Sequence, residues 1–406
     1  MNIRPHKVLY IICRLTLMRL ILYTSIKKLI QNLFHMVRIL ALILTLTILT
    51  PSWARQPEKN KFSKVYSEKK FYFSGWGAPK KGEEAQQLAT LKKWADAGIT
   101  DLLPGAGNER LEELIRLGGE YNIRIHAWHW MMNVGGNEEC RKHPEWYSIN
   151  ALGQSCNEYN PYVGYYNFLS PFSEGAREYI KKGVREKAKI EGLASVHFDY
   201  IRYVDVVLGN NLQKKYPYKG GDLKQDRLLP DYDFGYHPNA RKQYKEIFGI
   251  DPIDMEDKEE NAAWQQFRMN AISSLVEECI DICHEEGTAA SAAVFPFPQL
   301  AREYVRQDWG RWNLDYFFPM VYKNDHDGNV GWVGFATNEG MKEMKEGQHL
   351  FTGILVGHYG ENYDEFEQAI IAAYENGARG VTFFEIGSLN DKHWAIVNKL
   401  NERYNK

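Results

Sequence analysis

The first 54 residues contain no aspartate or glutamate, although the whole chain carries 52 acidic side chains against 50 basic ones. Seven of those bases (Arg4, Lys7, Arg14, Arg19, Lys27, Lys28 and Arg38) lie in that leader, so the remainder holds 43 bases against 52 acids, a net charge of −9. A surface that negative repels phosphate backbones, and nucleic acid is not an expected partner. Long apolar runs are also lacking. Ile39 to Thr50 is too short to span a bilayer, and Arg14, Arg19, Lys27 and Lys28 interrupt the hydrophobic stretches before it. What Met36 to Ala54 does have is the make-up of a secretory signal: Arg38 as a basic start, the apolar run, and Ser52-Trp53-Ala54 as a small-x-small cleavage site. The reading is an exported, soluble protein that starts at Met36, with residues 1–35 an upstream extension. No cysteine stands at the cleavage point, so no lipid anchor or stable membrane insertion is expected after signal removal.

Cysteine is scarce, with five in 406 residues. Cys140 and Cys156 flank one loop and would be free to bridge in an oxidising compartment. Cys279 and Cys283 lie one helical turn apart on an apolar face and read as buried thiols, and a zinc site would need further ligands. Also missing are a serine-nucleophile motif, a Walker loop and a heptad seam. The stretch GWGAPKKG after Phe73 is not a glycine-rich phosphate turn, which argues against a doubly wound sheet. Aromatics, by contrast, are plentiful: 25 Tyr, 19 Phe and 11 Trp. Flat rings suit the C–H faces of sugars, and they suit a large core equally well.

Three segments divide the chain: the leader at 1–54, a polar linker at 55–69 and a single domain at 70–406. In that domain short apolar runs alternate with amphipathic ones. Strands are expected at Phe71–Gly77, Thr100–Pro104, Ile123–Met132, Ser195–Tyr203, Ala289–Phe297, Leu314–Tyr322, Leu350–His358 and Gly380–Ile386, each followed by a helix. Among those helices are Glu83–Ala97, Glu174–Ile190, Trp264–Glu286 and Asn338–Glu346. Eight β-then-α repeats without adjacent hairpins give an α/β fold, a (β/α)8 TIM barrel, with long insertions after strands 3 and 4 that wall a cleft at the C-terminal rim.

The rim is where chemistry is sought, and the strand ends supply it. SVHFDYIRY at Ser195–Tyr203 delivers Asp199, Arg202 and Tyr203, with His197 on the same face as Asp199 and placed to orient it. Asp199 is the expected proton donor, because aromatic surroundings raise a carboxyl's pKa; the plain alternative is a structural pair with Arg202. Glu385 is the expected second carboxylate, its plain alternative again a buried pair with Arg202. Trp76, Trp128, Trp130, Asn133, Tyr322, Asn324 and His358 complete the expected substrate-binding set, with Asp325 also at a strand end. Asp315 precedes its strand and reads as structural. His126 and His129 fall on opposite faces, which disfavours a metal site. The stretch Tyr216–Tyr236, with Asp231, Tyr232, Asp233, Phe234 and Tyr236, is either a substrate platform or a loop packed on itself.

With those residues in place the chain resembles the glycoside-hydrolase-like family 10, bacterial exported barrels distantly related to chitinase-type hydrolases. The likeness runs through VHFDYIRY, YKEIFGIDP at Tyr244–Pro252, WQQFR at Trp264–Arg268, DYFFPMVY at Asp315–Tyr322 and GVTFFEIGSL at Gly380–Leu389. The resemblance implies a barrel acting on bacterial cell-wall or exopolysaccharide glycans, with Asp199 as the acid; carboxylate acid/base chemistry of this kind requires no metal or cofactor. Two positions depart from the family pattern: a single aspartate followed by Tyr200, and Glu385 in place of a small polar residue. The expected function is a glycoside hydrolase. A lectin-like barrel without hydrolytic activity and a metal-dependent polysaccharide deacetylase are the alternatives.

Overall fold

Segments of four to seven apolar-rich residues form the strands, and the amphipathic stretches between them form helices that bury one face against those strands. The strands are β1 (Tyr72–Trp76), β2 (Ile99–Leu103), β3 (Arg124–Trp130), β4 (Ser195–Asp199), β5 (Ala289–Val294), β6 (Tyr316–Pro319), β7 (His349–Leu355) and β8 (Gly380–Phe384). All pair in parallel in chain order, and β1 pairs with β8, closing the barrel. Their helices are α1 (Glu84–Asp96), α2 (Asn108–Gly119), α3 (Glu174–Ala188), α4 (Ala262–Glu285), α5 (Pro298–Val305), α6 (Val330–Met341), α7 (Tyr363–Glu375) and α8 (Asp391–Asn405). The chain is thus a (β/α)8 barrel. The computed structural model describes residues 61–216 and 225–405, all within one compact unit; the leader and signal expected at 1–54 lie outside them.

Local chemistry explains the helices. Ser173 accepts a bond from Ala176 N at the start of α3, which then buries Ala176, Ile180, Val184 and Ala188. Asn261 caps α4 in the same way through Trp264 N. One helix departs from expectation: α6 runs Val330–Met341, not Asn338–Glu346. Asn329 caps it through Trp332 N, and it buries Val333, Ala336, Thr337 and Gly340. Gly331, Gly334 and Gly340 weaken its intrinsic propensity, so packing rather than composition sets its position.

The expected linker at 55–69 is corrected over its described part. Tyr66 lies 2% exposed in the barrel's N-terminal mouth, edge-on to Tyr72, Tyr316, His349 and Phe351. Its hydroxyl donates to Asp101 Oδ1 at 2.8 Å, while Arg124 grips both Asp101 oxygens at 2.7 Å. Neighbouring backbone is pinned as well, Ser63 O by His349 and Phe62 O by Tyr316. Burial alone would raise the Asp101 carboxyl, but the Arg124 charge and the bond from His126 outweigh it and hold the group well below the usual range. A depressed carboxyl stabilises the fold above its unfolded value, and that support is lost as pH falls through the folded one.

Residues 62–66 therefore form a plug seated by Tyr66, while 67–69 are exposed. Tyr66→Ala is expected to lower unfolding free energy by about 3–5 kcal/mol in urea. A change within about 0.5 kcal/mol, as for a surface linker, would contradict this.

Candidate active site

Strand β4 lies between β3 and β5 with Trp130 opposite Asp199 and Trp128 opposite His197. That register lets Trp128 reach one layer up the barrel, where its indole Nε1–H donates to Asp199 Oδ2 at 2.8 Å. Tyr200 N–H donates to Asp199 Oδ1 at 2.6 Å. To turn that amide back, Tyr200 adopts a left-handed φ of 50°, a conformation that costs a non-glycine residue roughly 1–2 kcal/mol. Asp199 is 8% exposed. Burial raises its carboxyl above the ordinary aspartate range, against the lowering effect of Trp128, the Tyr200 amide and the Arg202 charge. It is an acid biased toward its protonated form, at a strand's C-terminal end.

Rings surround it. Tyr200 packs edge-on against Trp130 at 4.8 Å, and Trp130 faces Tyr165 at 6.0 Å. Trp130 and Tyr165 are 39% and 45% exposed, the solvent-facing part of the cluster. Across the mouth, Tyr322 lies 5.9 Å from Phe384, which also packs on Trp76 and Trp128. The Tyr322 phenol is pushed well above its usual value by burial and then by the charges of Asp199 and Asp325. It stays protonated, within reach of the Asp199 charge.

The structure thus gathers Asp199, Trp128, Trp130 and Tyr322. Glu385 directly follows Phe384 and is exposed; its carbonyl accepts from Ser388 N at 3.0 Å, and its carboxylate makes no hydrogen bond or ion pair among the described residues. It does not pair with Arg202, which binds Asp205 at 3.1 Å and Tyr203 O at 2.8 Å, with its guanidinium over the Tyr166, Phe168, Tyr200 and Phe295 rings. Arg202 is consequently a buried clamp on the segment after β4. Asn324 and His358 hold each other on the β6–β7 rim, the Asn324 amide donating to His358 O at 3.2 Å, while His358 lies 3.5 Å from Asp325.

Four expected contacts lie elsewhere. Asn133 is fully buried and accepts from Gly135 N and Asn167 N, organising the first insertion. Tyr203 is fully buried behind the rim. Trp76 is 2% exposed inside the barrel and donates to His197 Nε2 at 3.1 Å. His197 consequently does not orient Asp199: sharing a strand face still separates residues i and i+2 by one barrel layer, and its ring serves the layer below.

That lower layer is a directed hydrogen-bond chain. The indole N–H can only donate, so His197 Nε2 accepts and its Nδ1–H points to Ser291 Oγ at 3.0 Å. Ser291 then gives to Ser195 at 2.7 Å, Ser195 to His126 Nδ1 at 2.7 Å, and His126 Nε2–H to Asp101 at 3.0 Å. His126 is fully committed there, while His129 faces Gly183 of α3 with its value lowered to about 4 by burial and then by Lys187. The two imidazoles form no joint metal site. Asp315, bonded by His284 and Ala290 N, is structural as expected.

The insertions pair with each other through Asn150 and Phe234, and Tyr232, Asp233, Phe234 and Tyr236 are all buried. The described part of Tyr216–Tyr236 is thus a self-packed loop, not a sugar platform. Cys140 and Cys156 are free buried thiols, not a disulfide, with Cys156 Sγ accepting from Phe168 N at 3.3 Å. Sequence reasoning missed Tyr165 and Tyr200. Only the long loop after β3 and the break in strand alternation after Asp199 hinted at them.

A buried acid and exposed rings thus stand together at the C-terminal rim of a closed parallel barrel, the face on which barrel enzymes carry their sites. The model of the family described as glycosyl hydrolase-like 10 matches residues 84–361, and the chain belongs to that family. No curated protein sequence matches it. Among solved structures, the PgaB (BpsB) glycoside hydrolase domain from Bordetella bronchiseptica aligns over 82% of this chain and 98% of that one, at 10% identity and a TM-score of 0.59. A β-galactosidase from the Antarctic haloarchaeon Halorubrum lacusprofundi aligns over 82% of this chain and 58% of its own, at 10% identity and TM-score 0.57. The β-galactosidase of the psychrophilic Marinomonas ef1 gives 82% and 59%, 9% identity and 0.55. The chain spans less than two thirds of either galactosidase. At such identities the likeness is one of fold.

The raised Asp199 value sets a sign. The folded state binds this proton more tightly than the unfolded one, so the contribution is complete at low pH and is lost as pH rises from the ordinary aspartate value through the folded one. Relative to Asp199→Asn, wild-type unfolding free energy should fall across that window, by about 1.4 kcal/mol for each tenfold weakening of the acid. Parallel urea titrations of both proteins from acid to neutral pH check this; a difference that is flat or of opposite slope contradicts it.

Proposed function

We propose that this protein is an exported glycoside hydrolase acting on a bacterial cell-wall or exopolysaccharide glycan. The observation that carries the reading is Asp199, a carboxyl kept toward its neutral form by burial at the end of β4, beside the exposed pair Trp130 and Tyr165. Family membership supports a carbohydrate substrate. Export rests on the basic start at Arg38, the apolar run Ile39–Thr50 and the small-x-small site Ser52–Ala54.

In this mechanism a sugar ring stacks on Trp130 and Tyr165, and Asp199 protonates the glycosidic oxygen as the bond breaks. The leaving group thereby departs as a neutral alcohol. The Trp128 indole and the Tyr200 amide receive the carboxylate that results, and the protonated Tyr322 phenol provides a further donor at the same place. Glu385, just past the end of β8, is assigned the second carboxylate, supporting the oxocarbenium-like centre or activating water. A barrel that binds glycan without cleaving it is the competing reading. It draws on one observation, that no described residue orients the Glu385 carboxylate.

Purified protein is expected to release new reducing ends from peptidoglycan or an amino-sugar exopolymer, with Asp199→Asn lowering the rate ~10²–10⁴-fold. Glu385→Gln should lower it strongly as well; binding without products for wild type would establish the glycan-binding barrel instead. Trp128→Phe removes a bond that favours the ionised acid, so the alkaline limb of the pH–rate profile should move to higher pH. An unmoved or lowered limb would remove Asp199 as the acid.

A further inference from the structure

Behind the rim, the segment after β4 packs on a cluster with more positive than negative charge. Arg268 of α4 and Arg306, just past α5, are 0% and 1% exposed. A single carboxylate faces them. Asp233 Oδ1 accepts from Arg268 Nη1 at 2.6 Å and lies 3.6 Å from Arg306 Nη2, while Oδ2 accepts from the Tyr236 hydroxyl at 2.8 Å. Arg268 Nη1 also reaches Phe234 O at 2.7 Å, and Arg306 Nη1 reaches Arg302 O and Glu303 O at 3.5 and 3.4 Å.

What remains is a set of orphaned donors. Arg268 Nε and Nη2, Arg306 Nε and Nη2, and the Tyr203 hydroxyl are buried with no hydrogen-bond partner among the described residues. In each guanidinium Nε–H and the adjacent Nη2–H form one edge, so Arg268 leaves a whole two-donor fork unused, and the Arg306 fork is met only by the 3.6 Å ion pair of its Nη2 with Asp233. Trp264 and Tyr236 rings lie 4.9 and 5.4 Å from the Arg268 guanidinium, but neutral rings do not cancel its charge. Burial and then the charge of Arg268 push Arg306 down to about 10, against the raising effect of Asp233.

The backbone is bent to build this place. Gly235 has a φ of 117°, and a Cβ there would lie 2.5 Å from Arg268 Cδ and 3.3 Å from Tyr203 Cε1. Arg306 itself sits at a left-handed φ of 56°. Bound water would satisfy the donors but leave a buried charge, which is strongly unfavourable. We propose that Arg268, Arg306 and the Tyr203 hydroxyl form a binding site for a small monovalent anion, a halide such as chloride.

Such an ion would act on the rim without touching substrate. Tyr203 N donates to Val305 O at 3.1 Å, Val206 N to Tyr304 O at 2.8 Å, and Gln307 Nε2 to Ile201 O at 3.3 Å. The anion would thus fasten the end of α5 to the segment that follows Asp199 and carries Arg202. This inference does not depend on the reaction proposed above.

The test is thermal unfolding of the full chain in sodium chloride against sodium gluconate at equal ionic strength, together with crystals soaked in bromide. Chloride is expected to raise Tm saturably by roughly 2–6 °C over gluconate. An anomalous bromide peak is expected between the two guanidinium edges. Arg306→Leu should abolish the chloride response, and Tyr203→Phe, which keeps the packing, should weaken it. Equal Tm values in the two salts, or a water or protein atom in place of the bromide, would overturn the assignment.

Discussion

The rim is organised around one contact set: a carboxyl group at the end of β4, removed from water and accepting an indole N–H from β3 and the amide of the residue that follows it. Burial and the two donors act in opposite directions on the proton, and burial prevails. Much of the local structure serves to hold that balance. The pairing of Trp130 with Asp199 sets the reach of Trp128. The left-handed turn at Tyr200 aims the amide, and the ring cluster with Arg202 beneath it keeps that turn from relaxing.

Below this layer the barrel contains more polar groups than a hydrophobic core would tolerate unpaired. The chain from Trp76 through His197, Ser291, Ser195 and His126 to Asp101 satisfies them in one direction, ending on a carboxylate that Arg124 and Tyr66 also bind. Fully satisfied networks of this kind define a unique packing, whereas a broken one leaves a buried group exposed to its full desolvation cost. The plug at Tyr66 closes the end of the same network. Chemistry at one mouth and stability at the other are therefore carried by different layers of a single interior.

Strand order, barrel closure and the placement of Asp199 were legible because period-2 apolar runs and strand-end polar residues are local signals. So were the outward His129 and the structural Asp315. Roles that depend on which layer a side chain reaches were not legible: His197 and Asp199 share a face, yet only three-dimensional register shows that His197 serves Trp76. Arg202, Tyr203 and Asn133 read as rim residues from their position after a strand, but the insertions fold over them and bury them. Tyr66 was hidden in a stretch whose composition is that of a linker, because plugging a barrel needs one aromatic residue and no periodicity. Tyr165 sits in a loop whose path is set by long-range pairing with the β3–β4 rim, which sequence spacing does not encode.

The most direct measurement is the titration of the Asp199 carboxyl itself, followed by carbon NMR in protein labelled at aspartate and assigned by its loss in Asp199→Asn. The structure predicts a midpoint clearly above that of an ordinary aspartate. A midpoint at or below the ordinary value would show that the two donors outweigh burial, and Asp199 would then be a fixed charge and not a proton donor.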